Sequence, residues 1–260
     1  MKEKLNFNNI INETYDLFIS FVSFETRSFS FADKLDINNL AKVFIIKNKN
    51  SNDNKLIIQN KILFENKFKS DFEYIDVDLD NPIYSADNLK DKFNFLGSNK
   101  KRVKILLDIS TFTHEVLLLL LCIFRQWVYN IELTCVYCNT LDYSTKEAVE
   151  NKWLSKGLKE VRTVLGFPGD SLPSQKTHLI VIVGYEYERA YNIINIIEPN
   201  SLCLGYVVAE ETSTVKNKDA NTYSYLNSKG QFPIHNIHPV IIRNSTVTSY
   251  CNYGGIALVC

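Results

Sequence analysis

The stretch Val103-Lys-Ile-Leu-Leu-Asp108-Ile-Ser-Thr-Phe-Thr-His-Glu115 is an apolar run that ends in a polar turn, and a second apolar run, residues 116–124, follows at once. The first run predicts a buried strand over residues 103–109, and the second predicts a nearly buried helix over residues 113–129. A strand followed directly by a helix is the building step of an α/β fold with a parallel sheet. The fold class therefore depends on whether this step repeats along the chain.

The same step repeats on both sides of this stretch. Further apolar runs predict strands at residues 17–22, 42–47, 72–77 and 131–137. Helices are predicted at residues 28–35, 54–68, 87–96 and 144–165. In the helix over 54–68, the apolar positions fit one helical face: Leu56, Ile57, Ile62, Leu63 and Phe64. Residues 1–165 are thus predicted to form one Rossmann-like lobe with a mainly parallel sheet.

A second, shorter lobe is predicted after a break in composition. Residues 166–176 contain the one Gly/Pro/Ser-rich stretch, and we interpret them as a linker. Residues 177–260 then begin the pattern again, with a strand at 178–183, a helix at 190–197, strands at 201–208 and 240–242, and a last apolar run at 256–260. The turn Val22-Ser-Phe-Glu-Thr-Arg27 resembles Val183-Gly-Tyr-Glu-Tyr-Glu-Arg189 with one residue inserted. Two related Rossmann-like lobes are one interpretation, and a chance likeness of common turns is the other.

Composition excludes several classes of protein. The 260 residues carry 29 Lys and Arg against 29 Asp and Glu, a balance that argues against nucleic-acid binding by bulk positive charge. Six cysteines are ordinary for a reduced protein and too few for a disulfide scaffold. The first residues lack the apolar segment of a signal peptide, and the apolar run at 116–124 is far shorter than the roughly 20 residues of a membrane span. We therefore expect a cytoplasmic protein that does not enter the membrane.

Polar side chains follow three of the predicted strands, at the carboxyl edge where open parallel sheets bind ligands. After the first strand come Ser23, Glu25 and Arg27. After the strand at 103–109 come Asp108, Ser110, Thr111, Thr113 and His114. After the strand at 178–183 come Gly184, Glu186, Glu188 and Arg189. An arginine at a helix start suits a phosphate, and a carboxylate suits ribose hydroxyls, although both also serve as helix caps or as ion pairs. We expect Glu25, Arg27 and Asp108 to line one cleft.

The turn after Asp108 resembles that of CARF domains, the Rossmann-like sensors of cyclic oligonucleotides in bacterial antiviral defence. Their pattern is roughly Asp-Ile-Thr-Gly-Gly-Thr-Lys before an apolar helix, and Asp108, Ile109, Ser110 and Thr113 fit it. Thr111 and Phe112 replace the two glycines, and His114 replaces the lysine. The resemblance covers about fifteen residues. It implies a nucleotide-type ligand at this edge and a role as a sensor.

Three functions follow as hypotheses. The first is recognition of a nucleotide or nucleotide-derived small molecule by a sensor or regulatory module. The second is a TIR-like or nucleosidase-type enzyme in which a glutamate stabilises an oxocarbenium-like centre during N-glycosidic cleavage. The third is a scaffold or partner subunit, with residues 256–260 either paired inside the second lobe or forming a docking edge. A homo-oligomer or a protein partner fits any of these.

Motifs for metal ions and common cofactors are weak or missing. Cys135 and Cys138 form a single CxxC motif whose two sulfurs should lie on opposite faces of a strand. His235, His238 and Cys251 match no strong zinc template. The chain has neither GxGxxG nor the P-loop pattern. We therefore predict no metal site and name no cofactor.

Overall fold

The computed structural model describes residues 7–51, 54–98, 102–126, 130–138, 160–167, 176–183, 187–207 and 234–240. The chain divides into two compact units. The first unit contains the described residues up to 138 together with 164–167, and the second contains the remaining described residues. The predicted features at residues 144–159 and 256–260 lie outside the described ranges, and the linker at 166–176 stays a prediction.

The first unit is built on a five-stranded sheet. Its strands are β1 (Leu17–Phe21), β2 (Val43–Asn48), β3 (Glu73–Val77), β4 (Val103–Asp108) and β5 (Ile131–Val136). Its helices are α1 (Phe7–Asn12), α2 (Arg27–Ser30), α3 (Lys55–Phe68), α4 (Pro82–Phe93), α5 (Phe95–Ser98) and α6 (His114–Arg125). All neighbouring strands are parallel. The predicted α/β class with a parallel, Rossmann-like sheet is confirmed.

The strands lie in the order β3-β2-β1-β4-β5, which agrees with five consecutive strands of the doubly wound order 3-2-1-4-5-6. The chain builds outward from β1 through β2 to β3 and then returns to the other side of β1 with β4. The direction of winding therefore reverses between β1 and β4. In such sheets the crevice outside the carboxyl ends at that point is where ligands bind.

Both faces of the sheet are covered by helices. On one face, Phe44 meets Phe93 of α4, with ring centroids 5.4 Å apart, and Phe93 meets Phe124 of α6 at 5.3 Å. On the other face, Phe18 of β1 packs against Phe68 of α3, with ring centroids 6.1 Å apart. Because β1 lies between these two layers, all five of its residues are buried. Runs of apolar residues without alternation are the expected sequence of such a strand.

The buried face of α3 differs from the predicted one. Leu56, Ile62 and Leu63 are exposed, whereas Asn60, Phe64 and Phe68 face the sheet. The buried positions repeat at intervals of four residues, and Phe64 and Phe68 fill the space beside Phe18. The predicted and observed faces share Phe64, but the predicted one lacks Asn60 and Phe68, because α3 carries apolar residues on two sides and an asparagine on its buried side.

Three other elements differ from their predicted bounds. The helix expected over 28–35 is the short α2 followed by a 3₁₀ turn at Ala32–Lys34. The helix expected over 87–96 begins earlier, at Pro82, because Asn81 Oδ1 accepts a hydrogen bond from the Tyr84 amide at 3.0 Å and caps it. Residues 160–164 have no regular structure, so the helix predicted to reach residue 165 does not extend over them.

Residues 164–167 lie against α6. Gly166 has a φ of 86°, and a Cβ atom added to it would lie 2.3 Å from Cys122 Sγ. Val164 packs against the core on the same face of the sheet as α6. Glycine is therefore required at this position both for its backbone conformation and for the close approach to α6.

The second unit contains a three-stranded parallel sheet in the order β6-β7-β8. Its elements are β6 (His178–Val183), α7 (Tyr187–Ile197), β7 (Ser201–Val207) and β8 (Ile234–Val240). Val181, Ile194 and Leu202 form its core between the sheet and α7. The strand predicted at 240–242 begins earlier, at Ile234, where the segment pairs with β7, and residues 241–242 lie outside the described residues. The histidines and the proline of this segment hide the strand pattern in the sequence. No helix in the described ranges has the length and apolar character needed to cross a bilayer.

The α3 face yields a test with a matched control. Phe64→Ala should lower the free energy of unfolding by about 3–5 kcal/mol, because it leaves a cavity in a fully buried layer. Leu63→Ala, one residue away but exposed, should change it by only about 0.5 kcal/mol. Urea unfolding of both variants measures the difference. Equal losses would show that the face is assigned wrongly.

Candidate functional site

The turn between β1 and α2 is held by side-chain hydrogen bonds to its backbone. Ser28 Oγ donates to the Phe21 carbonyl at 2.9 Å and accepts from the Ser23 amide at 3.1 Å. Asn60 Nδ2 of α3 donates to the carbonyls of Ser23 at 2.7 Å and Glu25 at 2.9 Å. The turn that carries three of the predicted site residues is thus fixed to both β1 and α3.

Arg27 begins α2 and is largely buried, with 20% of its side chain exposed. Its Nε donates to Glu25 Oε2 at 2.6 Å, and Nη2 donates to Glu25 Oε1 at 3.3 Å. Its Nη1 donates to the Tyr137 hydroxyl at 3.0 Å and to the Cys138 carbonyl at 3.2 Å. Burial acts to lower the pKa of Arg27, but the hydrogen bonds that it donates to Glu25 and Tyr137 outweigh this effect and raise the pKa. Since a guanidinium has five N–H groups, these four bonds to described residues leave one for a ligand.

Asp108 ends β4 beside β1 and is 2% exposed. Its Oδ1 accepts from both the amide and the hydroxyl of Ser110, the amide at 3.0 Å. Its Oδ2 is buried and has no hydrogen-bond partner among the described residues. Burial raises the pKa of Asp108 to about 6, although the Ser110 hydrogen bonds and the charge of Arg27 act against the rise. A buried carboxyl oxygen without a partner requires an explanation, and a ligand is one.

Cys138 follows β5 and is held from both sides. Its amide donates to Ser110 Oγ at 2.7 Å, and its carbonyl accepts from Arg27. Thr111 Oγ1 donates to the Phe21 carbonyl at 2.8 Å, which ties the turn after β4 to the end of β1. The ends of β1, β4 and β5 therefore form one hydrogen-bonded network, and the structure brings Ser23, Glu25, Arg27, Asp108, Ser110 and Thr111 to one edge.

The rest of the turn after Asp108 enters α6. Thr111 and Phe112, at the glycine positions of the CARF pattern, are buried, and the Phe112 ring lies 5.3 Å from that of Phe21. Thr113 is the N-cap of α6 but makes no capping hydrogen bond with its side chain, and His114 is exposed. The close backbone approach that two glycines would permit is thus replaced by packed side chains.

The predicted site of the second unit is described only in part. Gly184 and Glu186 lie outside the described residues, and Glu188 is in α7. Arg189 is also in α7 and is partly buried. The likeness of its turn to the turn at Glu25 stays a prediction.

Sequence reasoning missed Asn60 and Tyr137 and dismissed Cys138. The signal for Asn60 was a polar residue four positions before Phe64 and eight before Phe68, on one helix face. Cys135 and Cys138 pack on opposite faces of the sheet, as their spacing predicted. Burial raises the pKa of the Cys138 thiol, which keeps it protonated. The described residues contain no cluster suited to a metal ion.

A cavity of about 460 Å³ lies elsewhere, at the amino ends of β2 and β3. Its lining includes Leu40, Lys42, Asp71 and Glu73, and Lys42 pairs with Glu73 at 3.1 Å. Ligands of open parallel sheets bind at the carboxyl ends of the strands. We therefore place the candidate site at the ends of β1, β4 and β5 rather than in this cavity.

Comparisons with known proteins add little to this geometry. No protein-family model matches the chain, and no curated protein matches it. Among solved structures, AtPrR2 with NADP+ and (+)pinoresinol is similar at 9% identity and a TM-score of 0.31. The match covers 88% of this chain and 80% of that chain. A likeness this distant carries no argument about function, so the candidate site rests on its own contacts.

Arg27 is expected to contribute more to the stability of the fold than an exposed ion pair would. Arg27→Ala removes four hydrogen bonds and leaves Glu25 without its partner, so the free energy of unfolding should fall by about 1–3 kcal/mol. Arg27→Lys should recover little of this, because an ammonium lacks the planar fork. Chemical denaturation measures both effects.

Arg102→Ala is the matched control. The Arg102 side chain is 59% exposed and lies 3.9 Å from Glu132, so its loss should cost at most about 0.5 kcal/mol. If the Arg27 and Arg102 variants lose equal stability, Arg27 does not hold the network together.

Asp108 should make stability depend on pH. Its pKa is about 6 in the folded protein and about 3.9 in an unfolded chain. Between these values the folded state keeps a proton that the unfolded state has lost, so this group lowers the free energy of unfolding as pH rises from about 4 to about 6. Asp108→Asn removes that dependence. As pH rises from 4 to 7, the free energy of unfolding of the variant should therefore increase by on the order of 2 kcal/mol relative to that of wild type.

Denaturation of both proteins at several pH values gives the difference curve. Other titrating groups, such as Glu73 and Asp78, are common to both proteins and largely cancel. A difference that does not change between pH 4 and pH 7 would show that the pKa of Asp108 is ordinary.

Proposed function

We propose that this protein binds a nucleotide or a nucleotide-derived small molecule at the carboxyl ends of β1 and β4. One observation carries the proposal. At the point where the winding of the sheet reverses, the buried carboxyl of Asp108 has one oxygen without a partner among the described residues. Open α/β sheets bind their ligands at this point, and a hydroxyl donor such as a ribose OH would satisfy that oxygen.

Phosphate would be bound mainly by the start of α6. This helix has 12 residues, and the positive end of its dipole at Thr113 would favour an anion. Arg27 would contribute its one remaining N–H group and its charge. Its four bonds to Glu25, Tyr137 and Cys138 make it chiefly a residue that positions the site.

A binding or sensor role fits the contacts better than turnover. Glu25, one of the glutamates that could stabilise an oxocarbenium-like centre, is hydrogen-bonded through both oxygens to Arg27. Asp108 is buried and bonded to Ser110. While Glu25 is bound to Arg27 in this way, neither of its oxygens is available as a nucleophile or a general acid. A role in antiviral defence rests on the CARF resemblance alone.

The test is binding of a panel of ligands, followed by mass spectrometry of small molecules released from the purified protein. Mononucleotides, dinucleotides including NAD and NADP, ribose 5-phosphate and inorganic phosphate are titrated by calorimetry. We expect at least one nucleotide to bind and to raise the melting temperature. Asp108→Asn should weaken that binding about ten-fold or more, because it replaces an acceptor with a donor.

Asp71→Asn is the control at the opposite edge. Asp71 is exposed and lines the cavity at the amino ends of β2 and β3. If it weakens binding and Asp108→Asn does not, the ligand binds in that cavity and the proposal is wrong. Release of a free base from NAD or another nucleotide by the wild-type protein would instead support the glycosidase.

A further inference from the structure

Two exposed aromatic side chains flank the candidate site. Phe24 lies in the turn between β1 and α2, and Tyr137 follows β5; each is 52% exposed. Single exposed apolar residues are normal on a protein surface and need no explanation. These two side chains differ because they lie at the same edge of the sheet, on two turns that are both hydrogen-bonded to one side chain.

Arg27 is the residue that joins them. It holds Glu25, the residue next to Phe24, and it donates to the Tyr137 hydroxyl at 3.0 Å. Its Cζ atom also lies 5.5 Å from the centre of the Tyr137 ring. Arg27 thus contacts Tyr137 and the carbonyl of Cys138. Through Glu25 it links both residues to the turn that carries Phe24.

The backbone beside each ring is held in place. Asn60 donates to the carbonyls of Ser23 and Glu25, on either side of Phe24. Ser110 and Arg27 hold the amide and the carbonyl of Cys138, the residue after Tyr137. Rings on fixed backbone lose little entropy when they bind a flat partner, and every nucleobase offers an aromatic face.

We propose that Phe24 and Tyr137 form the base subsite of this ligand site and stack on the base of the nucleotide. The inference rests on the proposed function and narrows it. The ligand class becomes nucleotides with an aromatic base, rather than sugar phosphates. Asp108 binds a ribose hydroxyl, and the two rings bind the base.

The experiment compares ligands that differ only in the base. AMP, UMP and ribose 5-phosphate are titrated by calorimetry into the wild-type protein and its variants. Wild type should bind AMP at least ten-fold more tightly than ribose 5-phosphate, and UMP should fall between them because its ring is smaller. Phe24→Leu and Tyr137→Leu, which keep an apolar side chain without the ring, should each lose about ten-fold in affinity for AMP and little for ribose 5-phosphate.

Two variants serve as controls. Tyr137→Phe keeps the ring but loses the hydroxyl bonded to Arg27, so it should retain most of the affinity for AMP. Tyr84→Leu removes another exposed ring, on α4 after β3, and should leave binding unchanged. Melting temperatures of all variants, measured without ligand, show that each is folded.

The outcomes separate the two proposals. Equal affinities for AMP and ribose 5-phosphate, or normal AMP binding by both ring variants, overturn the base subsite. If AMP binding is nevertheless weakened by Asp108→Asn, the proposed function stands and only the base subsite is wrong. If neither AMP, UMP, ribose 5-phosphate nor a dinucleotide binds wild type, both proposals are wrong.

Discussion

The burial of β1 on both faces is the constraint on which the first unit depends. All five residues of β1 are buried, between α1, α2 and α3 on one side and α4 and α6 on the other. A strand with two apolar faces needs a neighbour on each edge and a helical layer on each face. Placing β2 on one edge and β4 on the other meets this need, and it reverses the direction of winding between β1 and β4. The crevice at the carboxyl edge is a consequence of that core packing.

Polar groups at this crevice are held mainly by one another and by backbone. Arg27 from the first turn and Ser110 from the turn after β4 bind the carbonyl and the amide of Cys138, and Thr111 binds the end of β1. Backbone groups at the ends of buried strands require such partners because water does not reach them. The same side chains therefore stabilise the fold and shape the site. Asp108 Oδ2 and the Thr113 hydroxyl are exceptions, since neither has a hydrogen-bond partner among the described residues.

Most of the elements in the first unit could be predicted because a buried strand or helix has a characteristic pattern of apolar residues. A buried parallel strand requires a run of apolar residues, and the predicted positions of β1, β2 and β4 agree with the structure to within a residue. The face of α3 could not be read from its apolar residues, since α3 carries them on two sides and only the side with Phe64 and Phe68 meets Phe18. The start of β8 was predicted six residues after its observed start at Ile234, because its sequence contains histidines and a proline. Pairing with β7 stabilises the strand in spite of that sequence.

By itself the sequence determined the fold class and the edge at which the polar residues gather. Apolar runs and polar turns are properties of neighbouring residues, and the direction of a parallel strand decides which end carries its turn. The roles of those residues depend on contacts between elements that are distant in the sequence. Arg27 and Asp108 are 81 positions apart, and the partners Asn60, Tyr137 and Cys138 come from other elements. Whether a guanidinium is occupied and whether a carboxyl is buried depend on the order in which strands pair, and spacing along the chain does not contain that order.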